Sequence, residues 1–179
     1  DPAIAAAAAR TLGAWKVSAA APELLALIRD GQRPDDVRAA AALALAHLER
    51  PESVQDLRGL ATSGDIESRY FAVRGLTVTD LAGAGSAAAM LLAEEPGRAD
   101  PAGLVAGFLQ RDRGPEVLER ALADRTLHPA VAANVSEYHR RTGQLPPKLA
   151  QRFQVTATGS LSATLLRENR AALTADVER

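Results

Sequence analysis

Few residues in this chain have types that do chemistry. Gly83-Ala84-Gly85-Ser86-Ala87-Ala88 has the G-x-G-x-x-A spacing of a loop that cradles a dinucleotide pyrophosphate. Such a loop works only between a strand and a helix, with an acidic residue closing a second strand about twenty positions on. Residues 96–108, PGRADPAGLVAGF, supply no such strand, so the glycines are expected to bend the chain between two helices. His47, His128 and His139 are scattered, without the i, i+4 pairing of a metal-binding helix, and His128 before Pro129 reads as a helix start. Glu137, His139 and Arg140 have the types of an acid–base group, but one polar turn of helix has the same composition. There is no G-x-S-x-G nucleophile elbow. The chain has no cysteine, which excludes disulfides, a thiolate nucleophile and thiolate zinc sites within it. The expectation is a non-enzyme with no cofactor and no metal.

What remains is arginine. Among 21 basic residues only Lys16 and Lys148 are lysine, and 22 acidic residues leave a net charge of −1. That balance gives no overall pull toward nucleic acid or an anionic membrane, so any arginine site must be local. No run approaches the eighteen or so apolar residues of a membrane span, and the first residues lack a signal-peptide layout.

The arginines fall into order once the chain is divided into repeats. Residues 34–48 read PDDVRAAAALALAHL; residues 1–15, DPAIAAAAARTLGAW, and 65–76, DIESRYFAVRGL, share the layout. Aligning Ile4, Val37 and Ser68, at offsets of 33 and 31, brings Leu12, Leu45 and Leu76 into one column and Arg38 over Arg69. ELLALIRDG at 23–31 lies over DLRGLATSG at 56–64 at the same offset of 33. Each unit is therefore a pair of helices, termed first and second.

Composition agrees with helices throughout: alanine is abundant, and aromatic residues make up only 3%, too few for an extended sheet core. Asp1-Pro2, Arg33-Pro34, Asp100-Pro101 and His128-Pro129 put proline in a first helical turn, and Asp65 can cap the copy that lacks it. Helices are expected near 2–15, 22–29, 34–48, 52–62, 65–78, 85–94, 101–111, 115–124, 129–141, 147–153 and 161–175. That is five pairs preceded by one lone second helix, an opening in mid-repeat that suggests a piece of something longer. Residues 1–141 read as the repeat array, strongest over 1–80 and weaker over 81–141; residues 142–179 read as atypical capping helices or a link to a further domain.

The pattern of Asp or Pro, then Val-Arg, then a small-residue run ending in Ala-Leu or Gly-Leu resembles HEAT repeats, in particular the short bacterial variety called PBS-lyase HEAT-like repeats. Ala5 departs from it where the arginine usually stands, and Ser68 where the valine does. The resemblance implies an all-α, right-handed superhelix, a solenoid of antiparallel helical pairs whose second helices line a concave face. It also implies that the acid near the second-helix start and the arginine pair across neighbouring repeats. Here that ladder would comprise Asp35 or Asp36, Asp65, Arg38 and Arg69, and as exposed pairs each rung would contribute about 0.2–1 kcal/mol.

The family serves mainly as scaffold or recognition surface, so the expected function is non-catalytic protein–protein interaction, as a scaffold or as an accessory domain of a larger protein. Arg10, Leu43 and Arg74 share one column and Ala6, Ala39 and Tyr70 the next; Arg10, Leu43, Tyr70 and Arg74 form the expected partner-binding patch, because Tyr and Arg are enriched at hot spots. Trp15, three positions after Leu12, is expected to pack between the first two repeats. The alternatives are a substrate-holding enzyme subunit or fragment of the bilin-lyase kind and, less favoured, nucleic-acid binding through an arginine-lined concave face. Dimerisation through the uncovered helix 2–15 is a further expectation.

Overall fold

A computed structural model describes residues 1–159. They are helical apart from turns: α1 (Pro2–Ala14), a 3-10 turn (Ser18–Ala20), α2 (Ala21–Arg29), α3 (Asp35–His47), α4 (Pro51–Ser63), α5 (Ile66–Thr79), α6 (Leu81–Leu91), α7 (Pro101–Leu109), α8 (Gly114–Leu122) and α9 (Pro129–Thr142). A last helical run covers 147–159. The helix expected at 161–175 lies outside the described residues.

The helices begin where side chains can satisfy orphan backbone amides. The carboxylates of Asp1, Asp65, Asp80 and Asp100 accept from the amides of Ala3, Ser68, Gly83 and Gly103, and the His128 imidazole Nδ1 accepts from Ala130. Proline occupies the first turn of α1, α4, α7 and α9. Asp80 accounts for a shift from expectation: it starts α6 at Leu81 rather than residue 85, so Gly83 and Gly85 lie inside a helix and do not bend the chain. With no strand before it, the G-x-G-x-x-A stretch is not a dinucleotide loop.

Second helices stack on one another in the order α1, α3, α5, α7, α9, and first helices pack beside them, α2 on α3, α4 and α6 on α5, and α8 against both α7 and the first helix α6. This is an all-α solenoid of helical pairs. One contiguous core runs through it, from Ala6 and Ala9 through Leu45, Leu76, Leu104 and Val131 to Phe153. Small residues set the spacing of the second helices. A Cβ built on Gly13 of α1 would lie 2.6 Å from the Ala44 Cα of α3, and one on Gly75 of α5 would lie 2.9 Å from the Ala42 carbonyl oxygen. Thus α3 shows Ala44 to the helix before it and Ala42 to the helix after it. Gly85 plays the same part for α8, where Val117 fills the space a side chain would take.

The turns repeat as well. Lys16 and Glu49, 33 positions apart, close α1 and α3 with the same left-handed backbone, φ 52° and 54°, and their side chains form an ion pair.

Candidate functional site

Arg38 enters α3 one turn in, and its side chain is 1% exposed. Its Nε donates to the Ile28 carbonyl at 3.0 Å, in the last turn of α2, where helical carbonyls lack partners. Its Nη1 donates to Glu67 at 2.8 Å and its Nη2 to the Ser68 hydroxyl at 2.9 Å, both on α5. The guanidinium carbon stands 4.8 Å from the centroid of the Phe71 ring, within cation–π range. One arginine thus ties the first helix of its own pair to the second helix of the next.

Arg69 repeats the arrangement. Its Nε donates to the Ala61 carbonyl at 3.2 Å near the end of α4, and its fork grips Glu94 through both nitrogens at 2.8 and 3.0 Å. The position four residues after each N-cap holds Ala5, Arg38, Arg69, Leu104 and Ala132 in turn, so this ladder has two rungs.

The sequence brought the two arginines into register and Asp65 beside Arg38, but it missed the closer acceptor Glu67 and the Arg69 partner Glu94. Asp65 lies 3.7 Å from Arg38, and the closer acceptor is Glu67. Asp65 acts chiefly as a cap, accepting from the amide and hydroxyl of Ser68. Burial pushes its carboxyl up, but the two Ser68 hydrogen bonds and nearby Arg38 outweigh that and hold it below its ordinary value. Asp35 and Asp36 are exposed in the first turn of α3, and neither forms an ion pair among the described residues. Glu67 and Glu94 stand in different repeat columns, so alignment of repeats could not find them; both are simply the carboxylates nearest the arginine in the following pair. The ladder is also not a surface feature, because Arg38 is buried.

Tyr70 is 2% exposed and its hydroxyl is buried near the Leu91 carbonyl, so it is not part of an open patch. Burial and the nearby Glu94 push its phenol well above the ordinary range. Its column holds Ala6 and Ala39 in the preceding repeats, and the extra volume fills the interior. Arg10 is exposed on α1, and Leu43 is half-buried on α3. Trp15, expected inside, is 77% exposed.

Arg74 occupies the most distinctive setting of the predicted patch. It is half-buried on α5, against Gly103 and Gly107 of α7; a Cβ on Gly103 would lie 3.4 Å from its Nη1. Its guanidinium makes no hydrogen bond or ion pair among the described residues, although its carbonyl accepts from the Thr77 hydroxyl. Desolvation pulls its pKa down, and the charges of Asp100 and Asp35 pull it back only in part. A narrow recess of about 10 Å³ joins Arg74 to Tyr70, Phe71 and Asp100. At its mouth, sharing Asp35, Glu67 and Arg98, is a cleft of about 410 Å³ formed with the 31–34 turn. Arg98 is exposed without an ion pair among the described residues, whereas Arg33 is held by Asp30. The recess is sized for about one water molecule. The place is therefore an open, mixed-charge cleft at the amino-terminal ends of α3, α5 and α7. A second, wider depression of about 810 Å³ lies between α8 and the 147–159 helix.

Among the described residues no group of three or more His, Asp or Glu could hold a metal ion. No described helix is long and apolar enough to cross a membrane.

The family model for HEAT repeats matches residues 1–77, the stretch that contains α1 to α5 up to Leu76 and Thr77. No curated protein and no solved structure gives a significant match to the chain.

Proposed function

With residues 1–77 built of HEAT repeats, which generally mediate protein–protein interaction or scaffolding and are typically non-catalytic, we propose that this chain holds a protein partner at the cleft before α3, α5 and α7. The observation that carries the reading is Arg74: a half-buried guanidinium without a hydrogen bond or ion pair among the described residues, its charge disfavoured by desolvation. A carboxylate brought by a partner would relieve that cost, because a charge-assisted contact in a desolvated site is among the stronger ones. Exposed Asp35 and Arg98 at the same mouth make the complement a side-chain pair of both signs. Leu43 and Arg10 extend the contact along α3 and α1.

The same charge pattern speaks against nucleic acid: Asp35, Glu67 and Asp100 alternate with the arginines, where a phosphate backbone needs a continuous positive track.

The test is affinity capture from native extract with this chain as bait, the bound proteins identified by mass spectrometry. Arg74→Glu is expected to weaken the captured partner by about 30-fold, the equivalent of about 2 kcal/mol at a hot spot. Thermal unfolding of the variant confirms that its fold survives. A folded Arg74→Glu chain that captures the same partner undiminished would sink the proposal.

A further inference from the structure

The depression between α8 and the 147–159 helix lies outside residues 1–77 and shares no lining residue with the Arg74 cleft. Its two walls are helix faces with one spacing. Glu116, Glu119 and Arg120 of α8 and its cap Ala123 fall at i, i+3, i+4 and i+7, and Lys148, Gln151, Arg152 and Val155 do the same on the facing helix. The segment 125–127 completes the lining. The sides are tied at two points: Lys148 Nζ pairs with Glu119 at 3.0 Å, and Arg152 Nη2 donates to the Arg125 carbonyl. The volume of about 810 Å³ falls in the range of small-molecule sites.

Charge and unmet hydrogen bonds define what fits there. Four cations line the depression against two carboxylates, in a chain whose net charge is −1. Glu119 already holds the lysine, whereas Arg120, Arg125 and Arg152 form no ion pair among the described residues. The side chains of Arg120 and Arg125 are exposed and make no hydrogen bond among the described residues. Arg152 is half-buried: its Nη2 is bound, its Nε is buried without an acceptor, and its Nη1 has no acceptor among the described residues. Charged donors short of acceptors in a partly dry site are a cost that an anion offsets. The Thr126 hydroxyl and the Gln151 amide add donors that have no partner among the described residues. Beside them Val155 is 66% exposed and, with Ala123, gives the depression an apolar wall.

We propose that this depression binds a small organic anion of the phosphate monoester class. The phosphate lies among the guanidiniums of Arg120, Arg125 and Arg152, whose planar forks present paired donors to its oxygens. A flat apolar body rests on Ala123 and Val155. Glu116, one turn before Arg120 on the same wall, repels the phosphate and sets it toward Arg125 and Arg152. The site is independent of the partner contact at Arg74.

Phenyl phosphate carries both halves of such a ligand, and inorganic phosphate and phenol carry one each. Each is titrated into the full chain at neutral pH and constant ionic strength, with amide NMR shifts locating the contact. Phenyl phosphate is expected to bind saturably with a Kd of about 0.1–1 mM and to move amides within 116–127 and 148–156. Inorganic phosphate should bind about tenfold more weakly and phenol not measurably. Arg120→Gln removes an exposed side chain that holds nothing in the fold, so it should weaken phenyl phosphate about tenfold and leave the thermal midpoint in place. Glu116→Gln removes a like charge and should tighten binding about threefold. The proposal is overturned by the absence of a saturable shift up to about 20 mM phenyl phosphate, by shifts lying outside the depression, or by equal affinity of the Arg120→Gln chain. Inorganic phosphate binding as tightly as phenyl phosphate would also overturn it, leaving an adventitious ion only.

Discussion

Arg38 and Arg69 sit in one repeat column, yet burial makes them energetically different. Removing buried Arg38 takes from partly exposed Glu67 its ion-pair partner and leaves the Ile28 carbonyl with only the Ser68 hydroxyl, so Arg38→Ala is expected to cost about 2–4 kcal/mol by urea unfolding. Arg38→Lys should recover little, since an ammonium cannot reproduce the three-directional fork. Arg69 pairs with the half-exposed Glu94, and Arg69→Ala should cost about 1 kcal/mol. Asp65 links the same cluster to pH. Its lowered carboxyl binds a proton less readily in the folded chain than in the unfolded one, so stability rises with pH. The contribution is whole above the unfolded value of about 3.9 and is lost as pH falls through the folded value. Asp65→Asn should flatten the stability profile below about pH 4; an unchanged slope would mean that the carboxyl is not held down. The arginine column and Asp65 were legible because they recur at the helix start; Glu67 and Glu94 were not, because each comes from whichever element the next pair brings near. Trp15 and Tyr70 exchanged places for a related reason. Periodicity says which residues share a face, but whether that face is covered depends on neighbours distant in sequence.

Helix starts were the most legible elements, because Asp, Pro and His mark them with a local hydrogen bond or a fixed φ. The exception was α6, whose cap Asp80 precedes a glycine-rich stretch that resembles a loop and is helical because α8 packs against Gly85. Glycine in these helices has two opposite meanings, and a pair of substitutions separates them. Gly75→Ala places a methyl 2.9 Å from the Ala42 carbonyl and 3.2 Å from Leu57, so overpacking of about 1–3 kcal/mol should exceed the gain in helix propensity. Gly59→Ala, inside α4 with nothing within 4 Å, should stabilise by about 0.5–1 kcal/mol. Thermal denaturation of the two variants against the parent tests both signs at once.

The period of 33 and 31 residues disclosed the layered architecture at the scale of the whole molecule, since a unit of two short helices can bury its apolar faces only by stacking. What it could not disclose is how unevenly the units are joined. Second-helix stacking is densest from α1 to α5 and thinner from α5 to α9. Amide hydrogen exchange is accordingly expected to be slowest in α3 and α5 and faster in α7 and α9; uniform protection along the array would contradict it. The two arginine rungs lie within the densely stacked part, and Leu104 and Ala132 stand where further rungs would be. Treated as a spring, the molecule is stiff over its first five helices and compliant beyond them. A load applied along its axis, or a partner that wraps it, would change its curvature mainly past Asp100, while the cleft at Arg74 sits on the seam where the stiff part meets the soft one.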